Sequence, residues 1–278
     1  MQPKQLKRIQ LAAAAVIVVA LAAAVTIALS AGFGSGTRPD TGLAQPPSTE
    51  PAAPGSGGCA YPAQVLDLTN WEVTVPVGSK DEPKEVMQPD LASYSVMPWF
   101  EVSPGCHGVA FRASVSGVTT SGSSYPRSEL REMTRGGELA SWSSDSGTHT
   151  LVVDEAFTAL PQGKPHLVGA QIHDQDDDIS VFRLEGSSLF ITKADNAHYK
   201  LVTDKYVLGT RFEAKYVVSQ GAVQAFYNGQ LQTTIVKSFS EAYFKAGAYT
   251  QANCKVASPC TNANYGETTI YSLKVEHS

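Results

Sequence analysis

Beyond about residue 58, apolar and polar positions alternate with a period of two, the spacing of strands that bury one face. Residues 70–75 alternate up to Pro76, where that strand is expected to stop. Residues 109–115 bring Phe111, Ala113 and Val115 to one face. Further strands are expected at 148–157 and 166–173, then as a hairpin at 179–184 and 189–192 across Glu185, Gly186, Ser187 and Ser188. Phe212, Ala214, Tyr216 and Val218 alternate in the next one. Residues 223–227 and 230–235 flank Asn228-Gly229, a pair that accepts the positive φ of a tight hairpin turn. Strands at 243–251 and 268–275 complete the set. Helical periodicity is confined to short turns expected at 66–70, near 90–93 and at 239–243, and no internal repeat is visible. Many short strands with long loops predict an all-β fold, a sandwich or jelly roll of two antiparallel sheets.

The polar faces of three strands carry chemistry. In Arg127-Ser128-Glu129-Leu130-Arg131, period two puts Arg127, Glu129 and Arg131 in one row. A carboxylate between two planar guanidinium forks can hold both and leave donors free for an anion. Taken alone, such a row reads equally well as a solvated ladder of surface ion pairs. In residues 168–173, Gln171 and His173 share a face, opposite an apolar one made of Val168, Ala170 and Ile172. In residues 243–251, Tyr243, Lys245, Gly247, Tyr249 and Gln251 share a face while Phe244, Ala246 and Ala248 suit a core. Gly247 leaves space there for close approach to the backbone. The combined set offers donors for a carboxylate and two proton-transfer groups, His173 and Tyr249. It shows no acidic pair at hydrolase geometry, no nucleophile elbow and no phosphate-binding Gly loop.

Composition changes the picture at the N-terminus. Lys4, Lys7 and Arg8 precede an uncharged apolar run over 11–29, and Ala28 and Ser30 stand at cleavage spacing. Residues 1–30 therefore read as a signal peptide, or as a membrane anchor if uncleaved, since the run approaches the length of a bilayer span. Residues 31–58 are rich in Gly, Pro, Ser, Thr and Ala and read as a flexible linker. Either way residues 59–278 are expected outside the cytoplasm, secreted or held at the outer face of the membrane. Four cysteines, Cys59, Cys106, Cys254 and Cys260, suit an oxidising compartment. Three pairings are possible; Cys59–Cys106 and Cys254–Cys260 are preferred, the second closing a short loop. The formal net charge of −5 argues against general nucleic-acid binding. An anionic ligand must then be met by a local cationic patch such as the Arg127/Arg131 row.

The three segments around Arg127-Ser128-Glu129-Leu130-Arg131, Gln171-Ile172-His173 and Tyr243-Phe244-Lys245-Ala246-Gly247-Ala248-Tyr249-Thr250-Gln251 resemble the three signature motifs of the alginate lyases of polysaccharide lyase family seven, in the same order and at similarly wide spacing. The resemblance covers about residues 62–275, and implies that residues 59–278 form a jelly-roll catalytic domain whose concave sheet is a substrate groove. It implies β-elimination on alginate, at guluronate, mannuronate or both, giving 4,5-unsaturated ends. Arg127 and Gln171 would bind the uronate carboxylate, His173 would take the C5 proton of guluronate, and Tyr249 would protonate O4. On mannuronate Tyr249 would act as both base and acid, its phenol made more acidic by Arg127 or Lys245. Glu129, Arg131, Lys245 and Gln251 would position the groove and neighbouring sugars. Ile172 resembles the family variant associated with guluronate-containing substrates. Thr250 stands where Asn is commoner, with its side chain expected to face away from the groove.

No metal or cofactor is required, and the expected partner is the polysaccharide alone, acted on by a monomer. The acidic run at 174–178 lacks EF-hand spacing and reads as a solvated loop. His107, His149, His166 and His198 read as structural or surface residues. Two other functions stay open: a non-catalytic carbohydrate-binding jelly roll, and a lyase on another polyuronate such as glucuronan.

Overall fold

The computed structural model describes residues 58–278; the apolar segment 11–29 and the linker expected at 31–58, apart from Gly58, lie outside the described residues. The chain runs through β1 (Trp71–Ser79), β2 (Glu82–Val86), β3 (Phe100–Val102), β4 (Val109–Ser114) and β5 (Arg127–Glu132). It continues with β6 (Thr148–Ala159), β7 (His166–His173), β8 (Asp178–Glu185), β9 (Ser188–Lys193) and β10 (Asn196–Thr203). Then come β11 (Phe212–Ser219), β12 (Ala222–Tyr227), β13 (Gln230–Val236), β14 (Tyr243–Thr250) and β15 (Tyr265–His277). Short 3-10 turns occupy Pro62–Gln64, Asp90–Ser93 and Pro104–Cys106.

Two antiparallel sheets face each other. One has the order β10-β9-β8-β7-β14-β5-β1-β2, the other β13-β12-β11-β6-β15-β4-β3. The core between them takes Val73, Leu130, Ile172, Phe244, Ala246 and Ala248 from the eight-stranded sheet, and Phe111, Leu151, Val153, Phe157 and Tyr216 from the seven-stranded one, all fully buried. Each large side chain removed from water in this way contributes about 1.5–3 kcal/mol, which is why the period-two pattern locates these strands. Asn228 and Gly229 take the positive φ their hairpin needs. The disulfides are Cys59–Cys106 and Cys254–Cys260, the pairing preferred from the sequence.

Three strands escape the alternation rule. β2, β3 and β10 are short or polar and sit at sheet edges, where a strand need not bury an apolar face. β1 does not stop at Pro76 but runs to Ser79, with a register break between Val75 and Gly78 that accommodates the proline. No helical turn forms at 239–243; Ala242 instead bridges to Trp142.

β7 departs from strict period two. Val168 lies opposite Tyr249 and Arg183, whereas Leu167 joins Ala170 and Ile172 in the core. Val168 is therefore on the same face as Gln171 and His173, not on the opposite one. Gly169 and Ala170 are skipped by the register with both β14 and β8. Relative to β8 this bulge inserts one residue into β7, and the alternation resumes in the second half of the strand.

Candidate active site

The order β7-β14-β5 sets the three chemically unusual strands side by side. Lys245 lies between Arg131 on β5 and Gln171 on β7, Tyr243 lies opposite His173, and Gly247 lies opposite Glu129. Directly opposed residues of antiparallel strands project to the same face, so the motifs converge on one surface. A groove of about 340 Å³ runs over it, lined by Arg127, Arg131, Gln171, His173, Lys245 and Tyr249 among others.

Glu129 lies beneath that lining, 1% exposed. Its carboxylate accepts from Gln171 Nε2 and pairs with Lys245 Nζ, and Arg127 Nη1 stands 3.6 Å away. Gly247 makes this reach possible. With no side chain opposite Glu129, the carboxylate extends over β14 to β7; a Cβ at Gly247 would meet Ser128 O at 2.5 Å, at a φ of +147°. The row is thus no solvated ladder: Glu129 is buried and gathers the Gln171, Lys245 and Arg127 donors around its carboxylate. It does not clasp both arginines. Arg131 lies over the Tyr243 ring at 3.9 Å and Arg127 over Tyr249 at 4.2 Å, each a cation–π contact. The buried Nε of each guanidinium has no partner.

His173 is half-buried. Its Nδ1 stands 2.5 Å from the Asp174 carbonyl and 3.1 Å from the Tyr243 hydroxyl, and its ring stacks on Tyr243. A carbonyl only accepts, so Nδ1 carries the proton and Nε2 keeps the lone pair. Burial holds the imidazole below its ordinary pKa, with Lys245 and Arg127 adding to the effect against the Asp174 contact. Burial also pushes the Lys245 ammonium down to about 8. Tyr249 OH shares a hydrogen bond of 2.9 Å with Ser123 Oγ, from the loop before β5.

Several residues meet the site without having been singled out from the sequence. Tyr243 stood in the right row, but its contact with His173 depends on the register. Ser123 carries no sequence signal, being one serine in a Ser/Gly-rich loop. Glu72 and Glu85 line the groove from β1 and β2, Asp176 and Asp177 from the β7–β8 turn, and Asp178 from the start of β8; the acidic run is a groove wall as well as a loop. Burial, then Asp177, raise the Asp178 carboxyl to about 6. β1 and β8 are four strand steps apart in the sheet order, about 19 Å at ~4.8 Å per step. That is beyond the roughly 5–10 Å of a glycoside hydrolase pair.

Gln251 lies outside the groove lining, its Oε1 accepting from Arg183 Nη1 at 3.0 Å. His166 and His198 are not isolated: both meet Glu185, which also binds Arg183. His149 pairs with His277, which in turn meets Glu132. Thr250 faces away from the groove, its hydroxyl donating to Pro126 O at 2.9 Å. Among the described residues no cluster of three or more His, Cys, Asp or Glu is arranged to hold a metal.

A two-sheet sandwich whose groove gathers guanidinium, ammonium, imidazole and phenol groups on one sheet suits a polysaccharide lyase. Residues 66–277 match the family described as "Alginate lyase", and the chain belongs to it. It is similar to the crystal structure of an alginate lyase from Corynebacterium sp., with 63% identity and a TM-score of 0.78 over 79% of this chain and 99% of that one. It is also similar to the alginate lyase AlgAT5 of polysaccharide lyase family 7, with 46% identity and a TM-score of 0.74 over 78% and 99% of the two chains. An alginate lyase of Klebsiella pneumoniae is 34% identical over 93 residues, which are 32% of this chain and 30% of that protein.

Proposed function

We propose that this chain cleaves alginate by β-elimination, with Arg127 and Gln171 on the uronate carboxylate, His173 as base and Tyr249 as acid. The observation that carries the reading is the orientation of His173: Nδ1 is fixed by a backbone carbonyl, so the basic Nε2 is left for substrate. A C5–H bond is far too weakly acidic to break unaided at neutral pH. Pairing the adjacent carboxylate with Arg127 and Gln171 lets the developing charge delocalise into it, the electrostatic contribution expected to be largest. The C5 proton passes to His173 Nε2, the C5 electron pair forms the C4=C5 double bond, and O4 leaves with a proton from Tyr249. On mannuronate, where the C5 proton and O4 lie on one side of the ring, Tyr249 performs both transfers. Arg127 lies over its ring at 4.2 Å and holds the phenol at the groove.

Glu129 and Lys245 keep the donors aligned, Arg131 is offered to a neighbouring sugar, and Gln251 acts further along the sheet through Arg183. Ile172 is fully buried, so any bearing it has on guluronate preference runs through the strand rather than through contact. The domain acts outside the cytoplasm, a reading supported by the apolar segment at 11–29 and the two disulfides, and as a monomer, since every groove residue named comes from one chain.

Incubation with alginate, polyguluronate, polymannuronate and glucuronan, followed by the ultraviolet absorbance of the unsaturated product, tests the reading. Absorbance on alginate and its two homopolymers is expected. Reducing ends without absorbance would mean hydrolysis, binding without product a carbohydrate-binding module, and absorbance confined to glucuronan a different substrate.

A further inference from the structure

Glu155 is a carboxyl with no place in the reaction and no ordinary reason to be where it is. It stands on β6 of the seven-stranded sheet, opposite the core residues Phe212 and Ile270, and is fully buried. Its side chain crosses the interior to β7 of the other sheet, where Oε1 accepts from Ala170 N at 3.4 Å and Oε2 has no partner. The nearby phenols are already engaged: Tyr206 with Phe157 N and Thr210 O, Tyr216 with Ser180. Burial pushes the carboxyl up to about 8, so near neutral pH it is an uncharged acid whose carbonyl oxygen accepts.

The contact falls on the bulge. Between their common register points β14 takes four residue steps (Lys245 to Tyr249), β7 three (Gln171 to Val168) and β8 two (Val181 to Arg183). Gly169 and Ala170 are skipped on both sides, so the Ala170 N–H needs an acceptor from elsewhere. Glu155 supplies it. Gly169 in turn makes the room: a Cβ there would lie 2.8 Å from both carboxyl oxygens. Without the inserted residue, one half of β7 would turn over, because a one-residue slip sends every side chain to the other face. Since Leu167 and Val168 are held in register at the start of β7, the half that would turn carries Gln171 and His173.

We infer that Glu155 is a positioning residue for the lyase, holding the Gly169–Ala170 bulge from behind so that Gln171 and His173 point into the groove. The inference rests on the roles given to Gln171 and His173 above. It makes the seven-stranded sheet, which contributes no group to the groove lining, part of the catalytic alignment.

The test compares Glu155→Gln, which keeps an acceptor at Oε1, with Glu155→Met, which keeps the length without it. Glu155→Gln should retain kcat within about twofold. Glu155→Met should lose between about 10- and 100-fold in kcat at equal folded fraction, as expected for ångström-scale misplacement of a base. Should Glu155→Met fail to fold, Glu155→Asp reads the same reach, because it withdraws the oxygen by one methylene and should show the same loss. Rescue by Gln separates positioning from stability, since the amide alters stability without removing the acceptor. Wild-type kcat in folded Glu155→Met or Glu155→Asp overturns the proposal. His173→Ala in the same assay identifies which idea has failed: an inactive His173→Ala beside a fully active Glu155→Met removes only Glu155's role. An active His173→Ala removes the site assignment on which that role depends.

Discussion

Replacing Glu155 by Gln should make stability less dependent on pH, with a gain that grows towards alkaline pH. The carboxyl is fully buried and raised by that burial from 4.5 to about 8. In the unfolded chain it titrates near 4.5. Between those two values the unfolded state has released the proton and the folded state still holds it, so each pH unit of increase costs folding about 1.4 kcal/mol. The penalty is absent below about pH 4.5, grows to about 3 kcal/mol near pH 7, and levels at about 5 kcal/mol once the folded carboxyl also ionises above about pH 8. Gln does not titrate and removes the whole of this slope. Other groups contribute pH dependence of their own, Asp178 and Glu72 among them, but they are common to both proteins and cancel in the difference. Urea unfolding of wild type and Glu155→Gln at pH 5, 6, 7 and 8, with m held common, gives the two curves directly. They should converge towards acid pH and separate in favour of the variant towards alkaline pH by about 1 kcal/mol or more per unit. Parallel curves would mean that Glu155 is ionised in the fold, through a counter-charge or water, and would remove the argument from burial.

Other perturbations probe the groove. Activity should rise with pH through a value below the ordinary imidazole range, because burial depresses His173, and fall through about 8 as Lys245 loses its proton. Lys245→Arg should move that alkaline limb upwards, and an unmoved limb in the pH–rate profile would assign it to another group. Tyr249→Phe should cut turnover on every substrate by at least about 100-fold, the scale of general acid catalysis, with initial rates as the measure; near wild-type rates would mean another donor. Gly247→Ala combines an unsuitable φ with a contact of 2.5 Å to backbone. It should cost about 2–5 kcal/mol, read as a fall in Tm, and unchanged stability would show that β14 shifts freely. Tyr243→Phe should lower kcat by less than about fivefold, because the Asp174 carbonyl still fixes the His173 tautomer and a single neutral hydrogen bond contributes about 1 kcal/mol.

The alternation of apolar and polar residues was sufficient to locate most strands, the two-sheet architecture and the faces of β5 and β14, because burying one face of a strand imposes a period of two on the chain. The motifs around Arg127, Gln171 and Tyr249 were legible for the same reason. The sequence also held an unused signal: Glu155 falls in step with Leu151, Val153 and Phe157, a carboxyl on a core face. What alternation does not encode is which strands become neighbours, and the remaining features follow from that. Glu129 is buried because Gly247 happens to lie opposite it, Arg131 turns to Tyr243 instead of Glu129, and the edge strands β2 and β10 pair without an apolar face of their own. Most of all, the side to which Val168 points depends on a bulge whose acceptor comes from the other sheet. Local pattern fixes which residues can face together; only the packed pairing of distant strands decides which of them meet, because each contact rests on register and close approach between segments that do not constrain one another along the chain.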